Sequence, residues 1–139
     1  MGVEIIMKEI KFRQPIYENG KIVRWHYWGF KDGLYQLPIN QHESYQFTGL
    51  KDNKRTKEYP EGQEIYEGDI VKFEKWSISK TETRYCKVIF SDGSFRLNGK
   101  SGYIGDIEIS TWFIEDYKLK VKLEVIGNEF MNPELLEEV

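Results

Sequence analysis

Hydrophobic and polar positions alternate with a period of two along much of the chain. The cleanest run is near its end, where Leu119, Val121, Leu123 and Val125 alternate with Lys118, Lys120, Lys122 and Glu124. Such a run predicts a strand with one buried and one wet face. Ile10 and Phe12 alternate with Lys11 and Arg13 in the same way, and Pro15 is expected to interrupt that strand. Asn19-Gly20 separates Ile16-Tyr17-Glu18 from Lys21-Ile22-Val23, and Asp92-Gly93 separates Lys87-Val88-Ile89-Phe90 from Ser94-Phe95-Arg96-Leu97. Both pairs predict tight hairpins, the Asn-Gly pair a type I′ turn with positive φ at both positions. Arg24 to Phe30 prolongs the first hairpin as an aromatic-rich stretch. Tyr45-Gln46-Phe47-Thr48, ending at Gly49, and Ile70-Val71-Lys72-Phe73, after Gly68-Asp69, are shorter strands. Ile107 to Ile109 and Thr111 to Ile114 are β-branched and aromatic runs of the same kind.

Between the strands, residues 34 to 46 read as a connection around Pro38. Lys51 to Gln63, polar and carrying Pro60 and Gly62, reads as a long loop or ribbon tip. Asn132-Pro133-Glu134 supplies an N-cap, a first helical residue and an acid for the first turn. A helix of one or two turns is expected there, docked through Leu135 and Leu136 because it is too short to stand alone. The absence of alanine and the nine Tyr, eight Phe and four Trp lean the same way. The expected fold is mainly β. A partly open SH3-like barrel runs from about Gln63 to Val125, an N-terminal β-hairpin region packs on it, and the short helix closes the end. The 139 residues suit one domain over 1–139, with any seam at 50–63.

Charge and cysteine content narrow the function. Twenty basic against 23 acidic residues give a net charge of −3, without the basic excess usual for a phosphate-binding protein. One cysteine, Cys86, forms no intramolecular disulfide and indicates no oxidising compartment. No run of 18 apolar residues predicts a membrane helix, and Met1 to Met7 has no signal-peptide pattern.

His26, His42 and Cys86 lack the spacing of a metal site, so no metal is expected. Cys86 has no local signature of a nucleophile. Glu67 and Asp69, and Glu115 and Asp116, read as turn-capping or solvated pairs. Gly99-Lys100-Ser101 lacks the earlier glycine of a phosphate loop, since Ser94 stands there. Lys51, Lys54, Arg55 and Lys57 form a basic cluster that, with Arg24 and the aromatics Trp25, Tyr27, Trp28 and Phe30, would suit nucleic acid. Phe130, Met131, Leu135 and Leu136 form an apolar cluster suited to docking on the domain itself or to self-association.

Three segments together resemble the YopX-like family of phage and prophage proteins. They are Met7-Lys8-Glu9-Ile10-Lys11-Phe12-Arg13; Gln46-Phe47-Thr48-Gly49-Leu50-Lys51-Asp52 with Glu64-Ile65-Tyr66-Glu67-Gly68-Asp69-Ile70-Val71; and Glu124-Val125-Ile126-Gly127-Asn128 with Asn132-Pro133-Glu134-Leu135-Leu136. The chain departs from the family pattern at Gln14-Pro15 and in the length of the loop after Asp52. The resemblance implies a mainly-β protein encoded by phages, prophages and related mobile elements, with no reaction, cofactor or catalytic residue attached. The expectation is a non-enzymatic accessory protein in the cytoplasm of a bacterial host. It would bind a phage or host protein, or assemble with itself as a homo-oligomer. Nucleic-acid binding through the 51–57 loop is the alternative. The motif, rich in turn formers and core residues, reads as a folding signature.

Overall fold

The structure, a computed structural model, describes residues 10–31, 34–39, 43–76, 80–99, 102–106, 120–137 and 139. The expected strands at 107–109 and 111–114, together with Leu119 and His42, lie outside them. The described residues are mainly β, in two five-stranded antiparallel sheets.

The first sheet grows from the hairpin of β1 (Ile10–Glu18) and β2 (Lys21–Lys31). Asn19 and Gly20 take φ of 51° and 76°, as the turn requires. β3 (Leu34–Gln36) pairs with β2, β4 (Tyr45–Lys51) with β1, and β5 (Glu64–Tyr66) with β4, giving the order β3-β2-β1-β4-β5. The second sheet contains β6 (Asp69–Trp76), β7 (Thr81–Ser91), β8 (Ser94–Gly99), β9 (Gly102–Asp106) and β10 (Lys120–Asn128). Asp92 and Gly93, with φ of 51° and 80°, close its β7–β8 hairpin. Its order, β10-β6-β7-β8-β9, is a four-strand meander whose fifth strand returns to the first. This half-barrel is consistent with the SH3-like architecture expected. It begins at Asp69 rather than Gln63, because Glu64–Tyr66 joins the first sheet through Phe47↔Tyr66 and Lys51↔Glu64.

β1 runs straight through Pro15, which sits opposite Trp25. β1 meets β4 only at Phe12 and Arg13. Beyond them no strand of the described residues lies on that side, and a proline is tolerated where one side of a strand is unladdered. The neighbouring Gln14 is buried, and its Oε1 accepts a hydrogen bond from Ile39 N at 3.0 Å. His26 Nε2 lies 2.8 Å from Leu37 O, so residues 37–39 cross this part of the hairpin. The connection expected over 34–46 thus includes the short strand β3.

The core of the second sheet is Val71, Phe73, Cys86, Val88, Leu97 and Leu123, joined by Ile65 from the first sheet. The closing helix is a 3₁₀ turn, Pro133–Glu137. It packs where Gly127 leaves room: a Cβ on Gly127 would meet Asn132 Oδ1 at 2.6 Å and Leu135 Cδ1 at 2.8 Å. No helix among the described residues is long and apolar enough to cross a membrane.

Candidate interaction groove

Polar side chains of the YopX-like segments are committed to holding strands together, Thr48 within the first sheet and Asp69 between the two sheets. Thr48 Oγ1 donates to Ile65 O at 2.8 Å and accepts from Leu50 N at 3.2 Å. Asp69 accepts Tyr66 N at 2.7 Å through one carboxylate oxygen and Arg13 Nη2 at 2.6 Å through the other. Arg13 and Asp69 are both buried. Burial pushes the Asp69 carboxyl up to about 6, against the opposing pull of Arg13 and of Tyr66 N–H. The Arg13 guanidinium lies over Trp25 at 4.2 Å and over Tyr66 at 4.3 Å, so two rings cover its faces. Its Nε is buried and has no hydrogen-bond partner among the described residues. Beside it, Lys11 is ion-paired with Glu64 and lies over the Phe47 ring.

Asp52 latches the long loop at its mouth. Its Oδ1 accepts Gln63 N at 2.8 Å, and its own N–H donates to Gln63 O at 2.8 Å. Its Oδ2 accepts Val125 N at 2.9 Å. Asn53 then donates from its backbone to Leu123 O at 2.8 Å and accepts Leu123 N through Oδ1 at 2.7 Å. Asp52 and Asn53 therefore satisfy backbone groups along the outer side of β10, the end strand of its sheet. Gly62 is needed at this mouth: its φ is +98°, and a Cβ there would stand 2.3 Å from Asp52 O.

The latched loop places Tyr59. Thr56 Oγ1 accepts Tyr59 N at 2.9 Å, and Tyr59 O accepts both Thr56 N at 3.2 Å and Gly62 N at 3.1 Å. Tyr59 then faces Tyr27 of β2 and Tyr66 of β5 across an open groove of about 330 Å³. Tyr27 and Tyr66 are in ring contact, with centroids 5.8 Å apart. Tyr66 is buried, whereas Tyr27 and Tyr59 are 43% and 37% exposed, so two of the three rings remain available. Glu58, Glu61 and Glu64 line the same groove, with Lys51 and Arg13. The Tyr59 phenol is raised above its ordinary pKa by desolvation, then by Glu58 and, further down, by Tyr27 and Glu64.

The basic cluster of the loop is largely engaged. Lys51 pairs with Glu61 at 3.3 Å, Lys54 with Glu124 at 2.8 Å, and Arg55 donates to Asp52 O at 2.7 Å. Lys57 is exposed. The aromatics grouped with it divide between surroundings. Trp25 covers Arg13, while Trp28 stacks on Phe12 at 4.5 Å and donates to Ser44 Oγ at 3.0 Å. Phe30 sits on β2 opposite Ile10. Arg24 is exposed.

The C-terminal apolar cluster also divides. Phe130 packs on Tyr45 at 4.3 Å and on Trp25 at 6.1 Å, and Leu135 packs by Gly127. Met131 and Leu136 stay exposed. Cys86 is fully buried in the β6–β10 core, and burial pushes its thiol up to about 11. Among the described residues no three His, Cys, Asp or Glu side chains are grouped to hold a metal.

A family model described as YopX protein matches residues 7–137. The chain belongs to the YopX family. No curated protein and no solved structure matches it. The first and second YopX-like segments meet in space at the Arg13–Asp69 pair, and the second and third at the Asp52–Val125 latch. Sequence reasoning missed Tyr59 and Tyr66 as groove walls. A signal for part of the site was present in Arg13, a charged residue on the strand face shared with the buried Lys11, and in Asp52 and Asp69 of the YopX motif.

Proposed function

We propose that the chain is a non-enzymatic protein-interaction module serving a phage or prophage in the bacterial cytoplasm. The observation that supports this best is the groove walled by Tyr27, Tyr59 and Tyr66. Tyrosine offers a large ring at a small cost in lost rotamers, which is why it is enriched at recognition surfaces. Here the rings come from three separate parts of the chain, and Tyr59 is fixed by three backbone hydrogen bonds. A surface ordered before binding loses less entropy on association. The partner is a phage or host protein. Nucleic acid is the weaker reading, because Lys51, Lys54 and Arg55 already meet acceptors of their own chain and three glutamates line the groove.

A photo-reactive phenylalanine analogue at position 59 tests the reading, with one at Lys21 as control. In infected-host lysate, position 59 should give a discrete protein cross-link that Lys21 does not. Salt-dependent nucleic-acid binding with no protein cross-link from position 59 would replace this reading with the nucleic-acid one.

A further inference from the structure

We infer that the groove receives an arginine side chain from the partner protein, its guanidinium laid against Tyr59 and Tyr27 and its charge met by Glu58. This rests on the interaction reading and names the chemistry of the occupant.

The chain itself shows how such a site is built. Arg13 is held between Trp25 and Tyr66, with Asp69 meeting its charge. Lys11 lies over Phe47, with Glu64 meeting its charge. Rings and cations thus alternate across this face, and the Tyr66–Tyr27 contact carries the row outward to where Tyr27 and Tyr59 are exposed. The outermost rings have carboxylates beside them. Glu58 and Glu64 both act on the Tyr59 phenol, and Glu61 lines the same wall.

Charge matching favours a cation over an anion. Arg13 is matched by Asp69, Lys51 by Glu61, and Glu64 by Lys11. Glu58 has no ion-pair partner among the described residues, which leaves one carboxylate in surplus at the mouth. A phosphate or carboxylate entering would meet that surplus with no free cation in the lining. A planar guanidinium both stacks on a phenol ring and pairs with a carboxylate.

The test uses the full chain and three blocked tripeptides, Gly-Arg-Gly, Gly-citrulline-Gly and Gly-Glu-Gly, followed by amide and tyrosine-ring NMR shifts at millimolar peptide. Citrulline keeps the shape of arginine and removes its charge. The arginine peptide should shift resonances of Tyr27, Tyr59, Gln63 and Tyr66, and the other two should not. Tyr59→Ala and Glu58→Gln should each weaken that binding roughly two- to fivefold. Lys21→Ala should leave it unchanged. Unaltered shifts elsewhere in each variant show that the fold is kept. Equal shifts with citrulline, no shifts with arginine, or full binding by Tyr59→Ala would each overturn the inference. A protein cross-link from position 59 alongside such a failure would leave the interaction reading standing with a different occupant.

Discussion

Arg13 Nη2 lies 2.6 Å from Asp69 Oδ1, and this contact ties β1 of one sheet to the first residue of β6 in the other. Both partners are buried, and Tyr66 contributes twice: its N–H donates to the same carboxylate and its ring covers the guanidinium. A buried pair gains little over apolar packing, but losing one partner strands the other charge.

Arg13→Met alone, which leaves the Asp69 carboxylate buried without its cation, should therefore cost about 3–5 kcal/mol of stability. The double variant Arg13→Met/Asp69→Leu should cost clearly less than the sum of Arg13→Met and Asp69→Leu. Urea unfolding of these variants measures the coupling, and simple additivity would remove the pair from its structural role.

The same carboxyl sets a pH dependence. Its folded value of about 6 stands above the ordinary 3.8. The folded state therefore binds the Asp69 proton more tightly, and this group's contribution to stability rises as pH falls through 6 toward 4. Relative to Asp69→Asn, the native chain should gain on the order of 2–3 kcal/mol across that window. Unfolding midpoints at pH 4.5 and pH 7.5 for both proteins check the sign. A difference that is flat or grows toward high pH would refute it.

Gly62 and Gly93 offer a matched comparison. Both have positive φ, but a Cβ on Gly93 meets nothing within 4 Å, whereas one on Gly62 runs into Asp52 O. Gly93→Ala should cost about 1–2 kcal/mol from backbone strain alone. Gly62→Ala should cost more and should free the loop, seen as faster amide exchange at Gln63 and Val125.

Cys86 should be unreactive in the folded chain. Its thiol is fully buried and raised to about 11, so little thiolate forms near neutral pH. Labelling by a disulfide reagent should follow unfolding rather than reagent concentration. Fast labelling under native conditions would show that the core opens around β7.

The sequence made the local features legible. Asn19-Gly20 and Asp92-Gly93 announced their hairpins because few other residues accept positive φ at both turn positions. The alternation ending at Val125 announced β10. Pro15 misled because a strand's tolerance of proline depends on which side carries a partner, and β4 is remote in sequence. The half-barrel begins later than the pattern suggests because Glu64–Tyr66 suits either sheet until Phe47↔Tyr66 pairing decides. The groove was least visible. Tyr27, Tyr59 and Tyr66 have no common spacing, and the latched loop brings the middle one to the other two.

That latch also bears on the order of synthesis. Asp52 and Asn53 hold to Val125 and Leu123, some seventy residues later in the chain. The edge that completes the half-barrel and anchors the loop is thus translated after nearly everything it secures. A nascent chain halted before residue 120 would hold the first hairpin but neither a closed second sheet nor a seated loop, so both must wait for β10 to emerge.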